Sequence, residues 1–264
     1  EVMNIIAGNI DSFTRSYRVM TGTFSHMVIM GPSGCGKTKI ANTIAYVYAK
    51  AGFLLNDTPS VVTRADLVGS YIGHTAPRVR AALCNALESV LFIDEAYELY
   101  TPGSERDFGK EAITEMVFFV DRYIGMNLII AAGYEAPMRE RFLGANEGMN
   151  RRFPVQVVLA PYTNDALAEI LITRIKELGL EVTTNIRTLL TECIGNINEQ
   201  NAFTHQAADM VALADEIFAT SLRDSEPWSV KRAKLIVKDV MVRFLHRKGF
   251  TVVEMKVSQK KIAE

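Results

Sequence analysis

Five short apolar runs punctuate the first 160 residues: His26–Met30, Ser60–Thr63, Val90–Ile93, Asn127–Gly133 and Val155–Leu159. Each has the length of a strand and is nearly continuous in apolar residues, the pattern of strands buried on both faces. Between them the apolar spacing changes to that of a helix. Ile40, Ala41, Ile44, Ala45, Val47 and Tyr48 share one side of Lys37–Lys50, and Val79, Ala82, Leu83 and Leu87 one side of Ala76–Glu88. Phe108–Ile124 and a shorter Ala136–Leu143 read the same way, with one helical turn at 64–68 and an irregular stretch over 144–152. Strands alternating with helices predict a parallel five-stranded sheet flanked by helices, an α/β fold.

After Pro161 the strand signal ends. Asn164–Leu178, Asn185–Ile194, Thr204–Ser221 and Ser229–His246 are helical patterns, separated by Gly179, Gly195 and Pro227 and closed by Gly249. An α/β domain over 1–162 followed by a small all-α domain over 163–264 is expected. At the start, Val2, Ile5, Ile6, Ile10 and Phe13 predict an amphipathic helix, and Thr251–Val253 reads as a strand or an ordered tail.

The chain has 264 residues, a formal net charge of -1 and 22% charged residues. That balance gives no basic footprint for nucleic acid. The basic positions of Lys231–Lys248 read as the polar face of a helix whose apolar partners are Leu235, Ile236, Val240 and Phe244. No apolar run approaches the roughly 18 residues that would span a bilayer, and no signal peptide is visible. Cys35, Cys84 and Cys193 are far apart, which fits a reducing compartment, and the four histidines show no metal-ligand spacing. A cytoplasmic location is expected. The first residue is Glu1, so a beginning inside a longer protein is expected.

Two stretches carry chemistry. Gly31-Pro32-Ser33-Gly34-Cys35-Gly36-Lys37-Thr38 matches G-x-x-x-x-G-K-[ST] between an apolar strand and a helix. In that setting backbone N–H groups and the positive helix end face a phosphate chain. Lys37 would reach the outer phosphates and the Thr38 hydroxyl would ligate Mg2+. Downstream, Val90–Ile93 ends in Asp94-Glu95. A buried strand delivers carboxylates to its C-terminal edge, where nucleotides sit in open α/β sheets. Asp94 would hold the magnesium shell and Glu95 would polarise the attacking water as general base.

The succession of phosphate loop, acidic strand end and helical domain resembles the AAA+ ATPases. The nearer resemblance is to the CbbX/CfxQ branch, which includes red-type rubisco activases and stage V sporulation protein K. Asp66–Pro77, Val90–Tyr100, Glu105–Ile113 and Ala132-Gly133-Tyr134 carry it. The resemblance implies a ring, a homo-hexamer or a hetero-hexamer with a related AAA+ subunit. Such a ring would hydrolyse ATP with Mg2+ to remodel a protein substrate, with no nucleic-acid or membrane partner, and a eukaryotic relative of the rubisco activases would sit in the plastid stroma. It implies that Tyr71-Ile72-Gly73 is a pore loop gripping polypeptide, that 100–110 is a second pore loop, and that Tyr134 is the sensor beside the γ-phosphate. Arg152 falls at the position of the arginine finger, with Arg151 as alternative. Cys35 stands where the family commonly has threonine. No arginine stands near Phe203–Gln206, where the family has one in its helical domain. That gap supports an alternative: a nucleotide-binding regulatory or scaffold subunit with weak or no hydrolysis, assembled with an active partner.

Overall fold

A computed structural model describes residues 25–103, 107–223 and 227–250. The expected helix over 1–20 and the ambiguous stretch 251–253 lie outside these. The described chain falls into two compact units. One holds the residues up to Pro32 together with Gly36–Ala160; the other holds Ser33–Cys35 together with the residues from Pro161 on.

The first unit is built on five parallel strands: β1 (Met27–Met30), β2 (Ser60–Val62), β3 (Val90–Ile93), β4 (Leu128–Gly133) and β5 (Val155–Val158). Their spatial order is β2-β3-β4-β1-β5, so β4 is central between β3 and β1, and β2 and β5 are the edges. Met27 is level with Ile130 on one side and Val155 on the other. Three long helices cover the sheet: α1 (Lys37–Lys50), α2 (Thr75–Asn85) and α3 (Gly109–Arg122).

Alternate strand residues face opposite ways, and this divides the interior into two cores. Val28, Met30, Leu91, Ile93, Ile129 and Ala131 pack with Val79 and Leu83 of α2 and Ile113 and Met116 of α3. Met27, Ile29, Phe92 and Ile130 pack with Ala41, Ile44, Ala45 and Tyr48 of α1. Strands served on both faces need apolar residues at every position, which is why the runs do not alternate.

His26 enters this interior at the foot of β1. It is 8% exposed, its Nδ1 accepts from the Ile129 N–H at 3.0 Å, and its ring centroid lies 5.7 Å from that of Phe153. Burial disfavours the imidazolium and lowers the pKa to about 4. The proton of the neutral ring sits on Nε2, because Nδ1 is the acceptor.

The stretch read as a helix over 136–143 is more broken than its spacing implied. A turn at Glu135–Pro137 leads into a π segment at Met138–Phe142 and a 3₁₀ turn at Leu143–Ala145. The wider turn lets Met138, Phe142 and Leu143 all be buried in the α2/α3 core. Within the stretch expected to be irregular, Met149–Arg152 forms a helical turn.

The second unit holds α4 (Asn164–Glu177), α5 (Thr184–Asn198), α6 (Gln206–Ser221) and α7 (Val230–Arg247). Three begin on side-chain caps: Thr163, Thr183 and Ser229 accept from the N–H of Ala166, Ile186 and Arg232. Their apolar stripes meet in one core containing Leu171, Ile175, Leu190, Ile194, Leu213, Ile217, Val240 and Met241. Two expectations for α7 are corrected. Leu235, placed on the buried side, is 66% exposed, and Arg232, placed on the polar side, is buried. Arg232 donates through Nη2 to the Ser221 carbonyl at 2.9 Å. The end of α6 therefore gains a charged donor for an otherwise unserved carbonyl.

Candidate functional site

The site is assembled at the C-terminal edge of the sheet, where β1, β3 and β4 all end. β1 runs directly into the glycine loop. The Gly31 N–H donates to the Gly133 carbonyl at 3.1 Å, which ties the loop's start to the end of β4. Gly36 adopts φ 92° as it leads into α1, a conformation that favours glycine. The Ile40 N–H then takes the Gly36 carbonyl at 2.9 Å and the helix is under way.

Lys37 is 8% exposed, and its ammonium donates to the carbonyls of Gly31 and Pro32, both at 3.0 Å. It also lies 5.3 Å above the ring of Tyr134, within cation–π range. No acidic side chain among the described residues forms an ion pair with it. Thr38 is exposed at the start of α1, and Cys35 is buried.

At the end of β3 the Asp94 N–H donates to the Val62 carbonyl at 3.0 Å and extends the strand ladder by one bond. Asp94 Oδ1 accepts from the Glu95 N–H at 3.1 Å. Glu95 adopts φ 48° and ψ 46°, left-handed backbone for a residue with a side chain. Such a conformation costs about 1 kcal/mol or more and is found where the surroundings impose it. Its Oε2 is buried with no hydrogen-bond partner among the described residues. A 3₁₀ turn over Ala96–Leu99 follows.

Tyr97, in that turn, was not singled out by its sequence. Its ring centroid lies 6.1 Å from that of Tyr134. Burial, then the nearby acidic Glu95, push the Tyr97 pKa above the ordinary phenol value. Lys37, Tyr134 and Tyr97 lie side by side along the strand ends.

Other expected residues stand apart from this row. Tyr71 and Ile72 are 69% and 87% exposed, on a loop that Gly69 pins by donating its N–H to Thr75 Oγ1 at 3.0 Å. Gly73 has φ 79°, and the rings of Tyr71 and His74 meet edge to face at 5.5 Å. Of the expected second loop, residues 104–106 lie outside the described residues. Its base is organised by Asp107, which accepts from the N–H groups of Thr101 and Gly109. Arg64 pairs with Asp107 at 2.7 Å and donates to the carbonyls of Glu98 and Leu99. Arg64 lies outside every stretch that carries the resemblance, whereas Asp107 lies within Glu105–Ile113.

Arg152 ends the turn before β5. Its guanidinium forms a two-pronged pair with Asp121 of α3 and donates to the Gly148 carbonyl at 3.0 Å. Arg151 is exposed. The Asp121 carboxyl is held below its usual pKa chiefly by the hydrogen bond from Arg152. In the second unit, the stretch 203–206 holds no arginine. A lysine reaches it from beyond α7: Lys248 Nζ lies 2.9 Å from Thr204 Oγ1 and 3.1 Å from Asp209 Oδ1.

The ATPase family associated with various cellular activities (AAA) matches residues 27–176. The chain belongs to this family. It is 34% identical over 197 residues to the protein CfxQ homolog of Trieres chinensis, covering 74% of this chain and 67% of that one. It is 37% identical over 202 residues to the chloroplastic ribulose bisphosphate carboxylase/oxygenase activase of Cyanidioschyzon merolae, covering 74% and 69%. Those identities place it in the CbbX/CfxQ branch of the AAA+ ATPases, an ATP hydrolase. The crystal structure of the FIGL-1 AAA domain in complex with ADP shares the fold, with a TM-score of 0.57 at 18% identity over 95% of this chain and 80% of that one.

The arrangement suits nucleotide and a hard divalent cation. A serviced but uncompensated ammonium faces the phosphate loop, and the Thr38 hydroxyl and Asp94 carboxylate are oxygen donors of the kind Mg2+ takes. Among the described residues no cluster of three or more histidine, cysteine or acidic side chains is poised to bind a metal. A cation held jointly with phosphates needs only one or two protein ligands.

Proposed function

We propose that this chain is a ring-forming ATPase motor that remodels a protein substrate drawn through a central pore. The observation that carries the reading lies at the strand ends: a buried ammonium at Lys37 held by backbone carbonyls rather than by an acid, and a carboxylate at Glu95 on constrained backbone. Lys37 would hold the outer phosphates. Thr38 and Asp94 would hold Mg2+, which neutralises charge on the phosphates when bound. Glu95 would take a proton from the attacking water, and Tyr134 would face the γ-phosphate. Gly31–Thr38 supplies the surrounding N–H groups. Arg152 would complete the site of a neighbouring copy, leaving Asp121 on assembly. The exposed Tyr71-Ile72 tip, with Gly73 as its hinge, fits a surface that grips polypeptide.

The activase from C. merolae supports a protein substrate, and rubisco is the first to try. Among the described residues no helix is long and apolar enough to cross a membrane.

The test is ATP turnover by the purified chain against Glu95→Gln, with electron micrographs taken with and without ATP. Turnover that falls at least a hundredfold in the variant, with six-fold rings in ATP, supports the motor. Equal, negligible turnover in both proteins would leave the regulatory-subunit reading, which the missing arginine at 203–206 favours.

A further inference from the structure

We infer that Arg64 is a positioning residue for ATP hydrolysis, its guanidinium locking the C-terminal end of the turn that Glu95 opens. This role rests on the proposed one of Glu95 as general base.

Glu95 leads into the 3₁₀ turn Ala96–Leu99 with φ 48° and ψ 46°. Left-handed backbone is disfavoured for a residue with a side chain, so the surroundings must hold the turn. The turn itself supplies little. The Glu98 N–H donates to the Glu95 carbonyl at 2.9 Å, and the last carbonyls of so short a segment have no partner within it. Arg64 serves them. Its Nη1 donates to the Glu98 carbonyl at 2.6 Å and to the Leu99 carbonyl at 3.0 Å.

The guanidinium is itself held. Nη2 donates to Asp107 Oδ1 at 2.7 Å. The Asp107 side chain is 5% exposed, and it also accepts from the N–H groups of Gly109 at 2.9 Å and Thr101 at 2.8 Å. The start of α3 meets the same turn. A Cβ at Gly109 would sit 1.4 Å from the Leu99 carbonyl oxygen, so the turn has no room to slide that way. The backbone of Arg64 is fixed from its other side. Val62 is level with Ile93, and the Asp94 N–H donates to the Val62 carbonyl. Next to Arg64, the N–H and hydroxyl of Thr63 bond Asp66 Oδ2 at 2.7 and 2.8 Å. One pair of strands therefore delivers both the acids, from β3, and the arginine that secures their turn, from β2.

The residue type suits the task. A guanidinium stays charged and presents its donors in a rigid planar fork, so it can serve two carbonyls and a carboxylate together; a lysine ammonium lacks that fork. Among the described residues the hydrogen bonds of Arg64 go to Glu98, Leu99 and Asp107, and none goes to the phosphate loop. Its loss should therefore disturb the base and spare nucleotide binding.

Turnover and KM are measured on the full chain with ATP and Mg2+ for wild type, Arg64→Ala, Arg64→Lys, Glu95→Gln and the double variant Arg64→Ala with Glu95→Gln, together with affinity for a fluorescent ATP analogue. Arg80→Ala breaks an arginine pair with Glu115 that joins α2 to α3, and controls for the loss of an ion pair as such. Arg64→Ala should lower kcat about tenfold, the scale of a misplaced base rather than a missing one. KM and analogue affinity should stay within about twofold of wild type, because uniform binding is untouched. Arg64→Lys should recover part of the rate, to about threefold below wild type, and Arg80→Ala should turn over like wild type. In the Glu95→Gln background Arg64→Ala should change turnover by less than about twofold, because nothing is left to position. Wild-type kcat in Arg64→Ala, an equal drop in both backgrounds, or a loss of analogue affinity that matches the loss of turnover overturns the inference while leaving Glu95 as base. If Arg64→Ala does not fold, Arg64→Lys decides alone: a lowered kcat at unchanged KM supports the role, and a wild-type kcat overturns it. If Glu95→Gln itself retains wild-type turnover, the general-base reading fails and this role fails with it.

Discussion

His26 makes the stability of this protein depend on pH in a calculable way. Its imidazole has a pKa of about 4 in the folded chain against 6.5 for the free side chain. Because the folded value is depressed, the unfolded chain binds the extra proton between those two values. Stability is therefore full above pH 6.5, falls as the pH drops through the window, and levels off below pH 4. Over the full window the loss is about 3 kcal/mol, at roughly 1.4 kcal/mol per unit. At pH 5 most of it is already present, about 2 kcal/mol relative to pH 7.5. Other groups titrate in the same range, so the measurement is a double difference. Urea unfolding followed by far-ultraviolet circular dichroism is run at pH 7.5 and 5.0 on wild type and on His26→Gln, whose amide oxygen can still accept from the Ile129 N–H. Wild type should lose about 2 kcal/mol more than the variant between the two conditions. Equal losses would refute the reasoning, as would an imidazole that titrates near 6.5 in the NMR spectrum of the folded protein.

Other outcomes follow from particular contacts. Lys37→Ala should abolish binding of a fluorescent ATP analogue while leaving the melting temperature within a few degrees, since it removes a cation that serves mainly loop carbonyls. Gly109→Ala places a Cβ 1.4 Å from the Leu99 carbonyl oxygen, and calorimetry should show a loss of about 3 kcal/mol or more or a failure to fold. Leu190→Ala, in the core of the second unit, should cost about 2–5 kcal/mol in a urea titration followed by the fluorescence of Trp228. Asp121→Ala, which frees Arg152, should shift stability by less than about 1 kcal/mol, because the aspartate is half exposed.

The strands were legible because each is an apolar run too short for a helix, and β1, β3 and β4 are found within a residue or so of the expected bounds. The parallel sheet followed from helices lying between them. The order β2-β3-β4-β1-β5 did not, since it depends on pairings between distant segments. Lys37, Asp94 and Glu95 were legible because phosphate chemistry dictates residue type and spacing together. Arg64 and Asp121 were not, since each acts through a partner brought near by the fold. Arg232 and Leu235 show the limit of reading a helix by its wheel. A buried arginine is admitted when the Ser221 carbonyl at the end of α6 takes its hydrogen bond, and a leucine is exposed when no neighbour covers its side.

The pairing of β1 with β4 sets a timetable for synthesis. Met27 is level with Ile130, about a hundred residues later in the chain. β1 therefore leaves the ribosome with neither of its neighbours made. At roughly 5–20 residues per second, an apolar strand and its glycine loop wait about 5–20 s before β4 can close the sheet beside them. During that interval Met27–Met30 is a bare template for other strands. A chain stalled before Gly133 would present the phosphate-loop sequence without the carbonyl that ties the loop down, so such fragments should aggregate and bind no nucleotide.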